Sequence, residues 1–233
     1  MPKYVIMNAD DFGYTQGVTR GILEAHEHGV VSSTSLMVDM PGAAEAAALA
    51  RLQPALGVGL HFVATNEGGP LFDLSNAALV KEELDRQLGR CCELLGRMPT
   101  HLDSHEHLHL KQRALQPLFL ALAEKHHLPL RGLGAVRFNG EFYGHRYDDQ
   151  WQAHPAPELI GVENLEKILR ALPDGVTELA CHPAYVTPDL ESSYAAEREI
   201  ELATLMDPRV SATLRKLEIS LINFAVLKAR EIP

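Results

Sequence analysis

The sequence predicts a mixed α/β fold, an irregular TIM-like (β/α) barrel with about seven parallel strands. Short apolar segments alternate with amphipathic helical segments along the 233 residues, which is typical of a parallel sheet. Polar residues recur where the apolar segments end. A barrel brings the ends of distant strands together, so we favour it over an open doubly wound sheet. We expect residues 1–233 to form a single domain, because this length is ordinary for one barrel.

The composition argues against two classes of partner. The formal net charge is −10 and the basic residues are scattered, so we expect no nucleic-acid surface. No segment approaches the roughly 20 apolar residues of a membrane helix, and the apolar segment at the N-terminus is too short for a signal peptide. Cys91, Cys92 and Cys181 cannot all pair, which suits a reducing compartment. We therefore expect a cytoplasmic protein without a membrane partner. The sequence leaves open whether the protein forms a homodimer.

The first predicted strand is the apolar segment 4–7, which ends at Asn8-Ala9-Asp10-Asp11-Phe12-Gly13. Neighbouring side chains of an extended backbone point to opposite sides. Asp10 and Asp11 can therefore have different roles only if the backbone turns there, and Gly13 permits a turn. The alternative is that Asp11 or Thr15 caps the helix that begins near Gln16.

The other elements are predicted from apolar periodicity and from the glycine and proline residues that end helices. Gly29 and Gly96 are the C-caps of two helices, and Pro54 ends a third. Predicted helices span 16–28, 43–52, 76–95, 114–125, 163–172, 195–205 and 208–217. Predicted strands span 33–38, 56–62, 101–105, part of 128–136, 177–181 and 219–224. Residues 138–157 are predicted to form a long aromatic loop that contributes to a binding site.

Five ionisable side chains lie at predicted strand ends, namely Asp10, Asp11, His61, His105 and His182. One carboxylate with two neutral imidazoles can bind a catalytic divalent metal and leave room for water and substrate, and Asp11, His61 and His105 provide this set. Asp10 could accept the proton of an attacking water, and His182 could protonate a leaving group. Any one of the 12 histidines could instead be an ordinary hydrogen-bonded or surface imidazole. The shared position at strand ends distinguishes His61, His105 and His182 from the other histidines.

Two alternative functions start from the histidine-rich segment. His105-Glu106-x-x-His109 matches the signature of zinc metallopeptidases, in which the motif lies on a helix so that both histidines share a face. Pro99 lies just upstream and residues 101–104 look extended, which argues against such a helix. A non-catalytic metal-binding protein is the second alternative.

Four motifs are spread along nearly the whole chain: 8–13, Gly59-Leu60-His61-Phe62, Pro99-Thr100-His101-Leu102-Asp103-Ser104-His105 and Cys181-His182-Pro183, followed by Tyr194, Arg198 and Glu201. In type and order they resemble the motifs of the YdjC-like carbohydrate deacetylases, which include chitooligosaccharide deacetylases. The resemblance implies a TIM-like barrel with fewer than eight regular units and a divalent metal, often Mg²⁺ or Zn²⁺. It also implies hydrolytic removal of acetyl groups from a small N-acetylated carbohydrate.

The resemblance also implies roles for individual residues. Asp11, His61 and His105 correspond to the metal ligands, Asp10 to the catalytic base and His182 to the acid. Asp103 and Arg198 are expected beside them, where they would orient His105 or Asp10. Candidates for stacking on sugar rings are Phe62, Tyr143 and Trp151, with plain core packing as the alternative. The sequence departs from the family pattern at Glu106 and in a compact segment, 63–75, and the second departure leaves the size of the sugar open.

Overall fold

The computed structural model describes residues 2–150 and 152–228. Its strands are β1 (Lys3–Phe12), β2 (Ser33–Leu36), β3 (Gly57–Phe62), β4 (Thr65–Asn66), β5 (Gly69–Pro70), β6 (Leu102–Ser104), β7 (Arg137–Asn139), β8 (His145–Tyr147), β9 (Ala153–Pro155), β10 (Gly175–Cys181) and β11 (Ile219–Leu221). Its helices are α1 (Gln16–His28), α2 (Ala43–Ala50), α3 (Ala77–Leu95), α4 (Leu108–Lys111), α5 (Gln116–His126), α6 (Val162–Ala171), α7 (Ala196–Met206), α8 (Pro208–Lys216) and α9 (Phe224–Lys228). No helix in this part of the chain has the length and apolar character needed to cross a bilayer.

The central feature is a curled parallel sheet, which confirms the predicted fold class. Within the described ranges it has seven strands in the order β6-β3-β2-β1-β10-β7, and β11 pairs with the first residues of β1. Every pairing in this sheet is parallel. The carboxyl ends of the strands therefore lie along one rim, where the polar residues of β1, β3, β6 and β10 meet.

The alternation of side chains along β1 separates two environments. Val5, Met7 and Ala9 pack in the main apolar core, whereas Ile6 belongs to a smaller cluster with Val136 and Phe224. Asn8 and Asp10 follow Ile6 on the same face, because side chains two residues apart on a strand point the same way. This face is apolar near the amino end of the strand and polar near its carboxyl end.

Two predicted elements differ in the structure. Residues 128–136 make only one parallel bridge to the sheet, between Leu130 and Leu102. Gly132 and Gly134 have positive φ angles of 65° and 115°, so the backbone cannot continue as a strand, and β7 begins only at Arg137. The aromatic stretch predicted as a loop contains the end of β7 and a small antiparallel hairpin, β8–β9.

Gly59 on β3 is required by a close approach to His101. A Cβ at this position would lie 2.4 Å from the His101 ring, which is stacked on Phe224 with 3.9 Å between ring centroids. We expect Gly59→Ala to lower the free energy of unfolding by about 1–3 kcal/mol, because neither ring has space to move. Urea denaturation measures this loss.

The matched control is Gly89→Ala on α3, where an added Cβ meets no atom within 4 Å. This variant should gain about 0.5–1 kcal/mol, since alanine is the better helix former. If both variants unfold at the same urea concentration, the packing of His101 does not constrain Gly59.

Candidate active site

The backbone turns between the two aspartates at the end of β1. Asp11 has a φ angle of 68°, and the pairing of β1 with β2 shifts register between Ala9 and Phe12. This bulge lets both neighbouring carboxylates face the same cleft, which a regular strand would prevent. The cap of α1 is Thr15, whose hydroxyl accepts a hydrogen bond from the Val18 amide at 3.2 Å. Asp11 is therefore not needed as a helix cap.

Asp11, His61 and His105 converge at this point. Asp11 Oδ1 lies 3.4 Å from His61 Nε2 and 3.2 Å from His105 Nδ1, and the three candidate ligand atoms lie within 4.8 Å of one another. Asp11 Oδ1 is buried and accepts no hydrogen bond from the described residues, while Oδ2 accepts one from Arg198 at 2.6 Å. A buried carboxylate oxygen without a donor, facing two imidazole nitrogens, fits a bound cation.

The orientation of His61 is set by Asp103. His61 Nδ1 lies 2.7 Å from Asp103 Oδ1 and donates to it, so in the neutral ring the lone pair is on Nε2, which faces Asp11. Burial by itself lowers the pKa of His61, but the carboxylates of Asp103 and Asp10 outweigh burial and raise this pKa to about 10. A divalent cation in this position would displace that proton, since only the neutral ring is a ligand.

Asp10 forms a bidentate ion pair with Arg131. Arg131 Nη2 donates to Asp10 Oδ1 at 2.6 Å and Nη1 donates to Oδ2 at 2.7 Å. The Asn8 side-chain amide donates a further hydrogen bond to Oδ1 at 2.9 Å. Burial raises the pKa of Asp10, but the guanidinium outweighs it and lowers the pKa to about 2. Asp10 is therefore ionised throughout the working pH range.

Arg131 is the residue of this site that the sequence analysis missed. It is fully buried, and besides Asp10 it pairs with Asp103 at 2.9 Å and Glu178 at 2.7 Å. The single positive charge of Arg131 thus pairs with three buried carboxylates. Two charged residues within apolar segments, Arg131 after Leu-Pro-Leu and Glu178 in β10, are the signal that could have identified the pair, because a buried charge requires a partner.

Glu178 makes the folding stability depend on pH. Burial, reinforced by Asp103 and Asp10, raises the pKa of Glu178 from 4.5 to about 7 against the attraction of Arg131. A carboxyl group with a raised folded pKa stabilises the fold below its unfolded pKa, and this stability is lost as pH rises through 7. Between pH 5 and 8 the wild type should therefore lose about 2–3 kcal/mol relative to Glu178→Gln, measured by urea denaturation.

Glu124→Gln, on the exposed side of α5, is the control, and it should follow the wild type across this pH range. If the free energies of unfolding of the wild type and Glu178→Gln change in parallel between pH 5 and 8, Glu178 is ionised over that whole range.

His182 lies on the other side of Asp10. Its Nε2 is 4.0 Å from Asp10 Oδ2, and its Nδ1 is 3.8 Å from Glu201 Oε1. The other oxygen of Glu201 accepts a hydrogen bond from the His182 amide, and Tyr194 Oη donates to Oε1 at 2.5 Å. Burial lowers the pKa of His182, but Glu201 and the aspartates outweigh burial and raise it. The site thus places an ionised carboxylate opposite an imidazole that favours its protonated form.

The structure places the two predicted orienting residues elsewhere than expected. Asp103 contacts His61 and Arg131, not His105, and it is linked to Asp10 through the Arg131 guanidinium and the Asn8 side-chain amide. Arg198 pairs with Asp11 instead of His105 or Asp10. The pairing in the sheet explains the first difference, because Asp103 on β6 lies directly opposite His61 on β3.

A cleft of about 340 Å³ opens above these groups. Its lining includes Asp10, Asp11, His61, His105, His107, Phe138, Tyr143, His182, Tyr194 and Arg198. Of the predicted stacking residues, Tyr143 lines the cleft and stacks on Tyr194 at 4.5 Å, whereas Phe62 is fully buried against Phe119. The prediction for Phe62 is wrong, because the side chain next to the inward His61 points to the opposite face of β3. Trp151 lies outside the described residues.

The histidine-rich segment does not form the helix that a zinc peptidase needs. His105–His107 is a single 3₁₀ turn, and Glu106 and His107 have φ angles of 52° and 54°. His109 is fully buried, where its Nε2 donates to the Arg131 carbonyl at 3.0 Å and its Nδ1 accepts from Ser104 at 2.6 Å. With its nitrogens engaged inside the core, His109 does not share a face with His105. The geometry contradicts the peptidase alternative.

Comparisons with known proteins identify the family of this chain. A family described as YdjC-like protein matches residues 4–216. A carbohydrate deacetylase from Geobacillus stearothermophilus is 37% identical over 96% of this chain and 98% of its own length. A chitooligosaccharide deacetylase from Serratia marcescens is 36% identical over 96% and 99%.

Solved structures show the same fold. A protein from Enterococcus faecalis that has been proposed to cleave cellobiose phosphate superimposes with a TM-score of 0.84 at 31% identity, covering 97% of this chain and 99% of the other. A family 4 carbohydrate esterase from Streptomyces lividans, solved with acetate, superimposes with a TM-score of 0.58 at 16% identity over 94% and 91%. The second likeness concerns the fold alone.

Proposed function

The chain belongs to the YdjC-like family, and from this premise we propose that it is a metal-dependent carbohydrate N-deacetylase that releases acetate from an N-acetylated amino sugar of the chitooligosaccharide class. The observation that carries the proposal is the unpartnered Asp11 Oδ1, which faces His61 Nε2 and His105 Nδ1 on the floor of the cleft. The names of the two similar deacetylases support the same class of reaction.

Asp11, His61 and His105 would hold one divalent cation. When bound, such an ion polarises the acetamide carbonyl and lowers the pKa of a coordinated water. One oxygen and two nitrogen donors suit Zn²⁺, Mn²⁺ or Fe²⁺, whereas Mg²⁺ prefers more oxygen ligands. We therefore propose Zn²⁺ ahead of Mg²⁺ as the ion.

Asp10 would act as the general base toward the attacking water. It stays ionised because of Arg131. Its Oδ1 already accepts from Arg131 and Asn8, whereas Oδ2 accepts from Arg131 Nη1 and keeps a lone pair for the water. The same ion pair weakens Asp10 as a base, since its pKa is about 2. The bidentate pair with Arg131 also fixes the position of the Asp10 carboxylate.

His182 would act as the general acid. Glu201 favours its protonated form, and its Nε2 lies on the cleft side, 4.0 Å from Asp10 Oδ2. As the C–N bond breaks, this nitrogen would protonate the departing sugar amine. The products are acetate and the free amino sugar. Tyr143, stacked on Tyr194 at the wall of the cleft, is the proposed platform for a sugar ring.

The proposal is tested by acetate release from a panel of N-acetylated sugars, from the monosaccharide to chitin oligomers. The protein is first stripped of metal with a chelator and then supplied with Zn²⁺, Mn²⁺ or Mg²⁺. We expect release that disappears on stripping and returns with a restored metal. Peptide cleavage without acetate release would support the peptidase alternative. Metal binding without either activity would support the non-catalytic one.

A further inference from the structure

His107 lines the cleft but has no part in the mechanism above. Its φ angle of 54° and that of Glu106, 52°, place two successive non-glycine residues in the left-handed region. Such a conformation is strained for a residue with a Cβ and persists only where the surroundings impose it. The turn directs the His107 ring toward Arg131 and Phe138, away from a helical continuation.

The contact with Arg131 determines which ring nitrogen carries the proton. Arg131 Nη1 lies 3.4 Å from His107 Nδ1 and hydrogen-bonds to it. A guanidinium has donors but no acceptor, so Nδ1 must be the acceptor and cannot carry a hydrogen. A bound proton on this ring therefore lies on Nε2. His107 is a neutral imidazole with its N–H on the nitrogen opposite Arg131.

The ring is held in place from two sides. Phe138 packs against it edge to face with 4.9 Å between centroids, and Phe138 lies in turn under the Arg131 guanidinium at 5.3 Å. Arg131 Nη1 also donates to Asp10 Oδ2, so one nitrogen fixes both the base and the His107 ring. Within the described part of the chain, His107 Nε2 has no hydrogen-bond partner. His107 Nε2 is thus a preorganised donor, and a molecule bound in the cleft would supply its acceptor.

We propose that His107 donates a hydrogen bond from Nε2 to the carbonyl oxygen of the substrate's acetamide group, where negative charge develops during hydrolysis. A neutral, oriented donor stabilises that charge without first having to reorganise. The inference rests on the proposed function, because it takes an acetamide as the substrate group. It makes His107 a catalytic residue.

The kinetic test compares His107→Gln with His107→Phe. In His107→Gln the side-chain amide keeps one acceptor for Arg131 and one donor for the cleft. In His107→Phe the phenyl ring keeps the packing on Phe138 but has no donor. We expect His107→Phe to lower kcat by about 10²–10³ with KM within about threefold, and His107→Gln to recover at least about tenfold of that loss. His127, an exposed histidine with a φ angle of 53° at the end of α5, provides the control for the left-handed backbone. His127→Phe should leave kcat unchanged.

A second readout does not depend on activity. Long-range ¹H–¹⁵N spectra of the metal-free protein, with the His107 signal assigned from its absence in His107→Gln, report which ring nitrogen is protonated. We expect the neutral form with the proton on Nε2. A proton on Nδ1 would overturn the inference whether or not the protein is a deacetylase.

The outcomes separate this inference from the proposed function. Full turnover in His107→Phe, or a change in KM alone, would overturn the role of His107 and leave the deacetylase intact. A wild-type protein that releases no acetate from any sugar would overturn both. Equal losses in His107→Phe and His127→Phe would assign the effect to the backbone and overturn the role as well.

Discussion

Asp10→Asn should lower kcat by about 10²–10⁴, which is roughly 3–5 kcal/mol of activation free energy, with the bound metal retained. The amide cannot accept the proton of the attacking water. One end of the amide would also place an N–H₂ group against the donors of Arg131, which now bind both carboxylate oxygens. Steady-state kinetics and metal analysis of the purified variant measure the two effects separately.

Excess metal should not restore Asp10→Asn, because its defect lies in proton transfer. Recovery of turnover on metal titration would mean that Asp10 is a ligand and that the roles of the neighbouring aspartates are reversed.

Asp11→Asn should weaken metal binding by at least about 100-fold, and high metal concentrations should partly restore activity. Arg198 Nη2 donates to Asp11 Oδ2 at 2.6 Å, so the amide oxygen of the variant has to face Arg198. The N–H₂ group then faces His61 and His105, where it offers no lone pair to a cation. Replacing partners that merely orient ligands already costs 10–100-fold, so loss of a ligand should cost more. Calorimetric titration of the metal-free proteins with Zn²⁺ measures this change.

Asp10→Asn is the control for Asp11→Asn, because it changes the same charge one residue away. An Asp11→Asn protein that binds Zn²⁺ as tightly as the wild type but is inactive would contradict the ligand role of Asp11.

The sequence predicted the parts of the molecule that depend on local pattern. Alternating apolar segments predicted the parallel sheet, and polar residues at strand ends predicted which side chains would meet. Asp10, Asp11, His61, His105 and His182 all lie around one cleft. The turn required for the two aspartates to share a site is present as the positive φ angle of Asp11. These features follow from the twofold period of strands and from the position of their carboxyl ends.

The sequence could not predict which charges pair across the barrel. Arg131 joins Asp10, Asp103 and Glu178, which come from three different strands, and the pairing depends on how the sheet curls. Phe62 is one of the predicted stacking residues, yet it is buried, because it lies next to His61 on β3 and adjacent residues on a strand face opposite layers. The strand predicted near Leu130 is interrupted by the φ angles of Gly132 and Gly134, which an apolar pattern alone does not reveal.

The central claim is that Asp11, His61 and His105 together bind one catalytic divalent ion. Crystals of the protein grown with Zn²⁺, with diffraction data collected on both sides of the zinc absorption edge, test it directly through the anomalous difference map. We predict one strong peak in contact with Asp11 Oδ1, His61 Nε2 and His105 Nδ1. A peak between His105 and His109, or a fully occupied ion away from Asp11, would contradict the account.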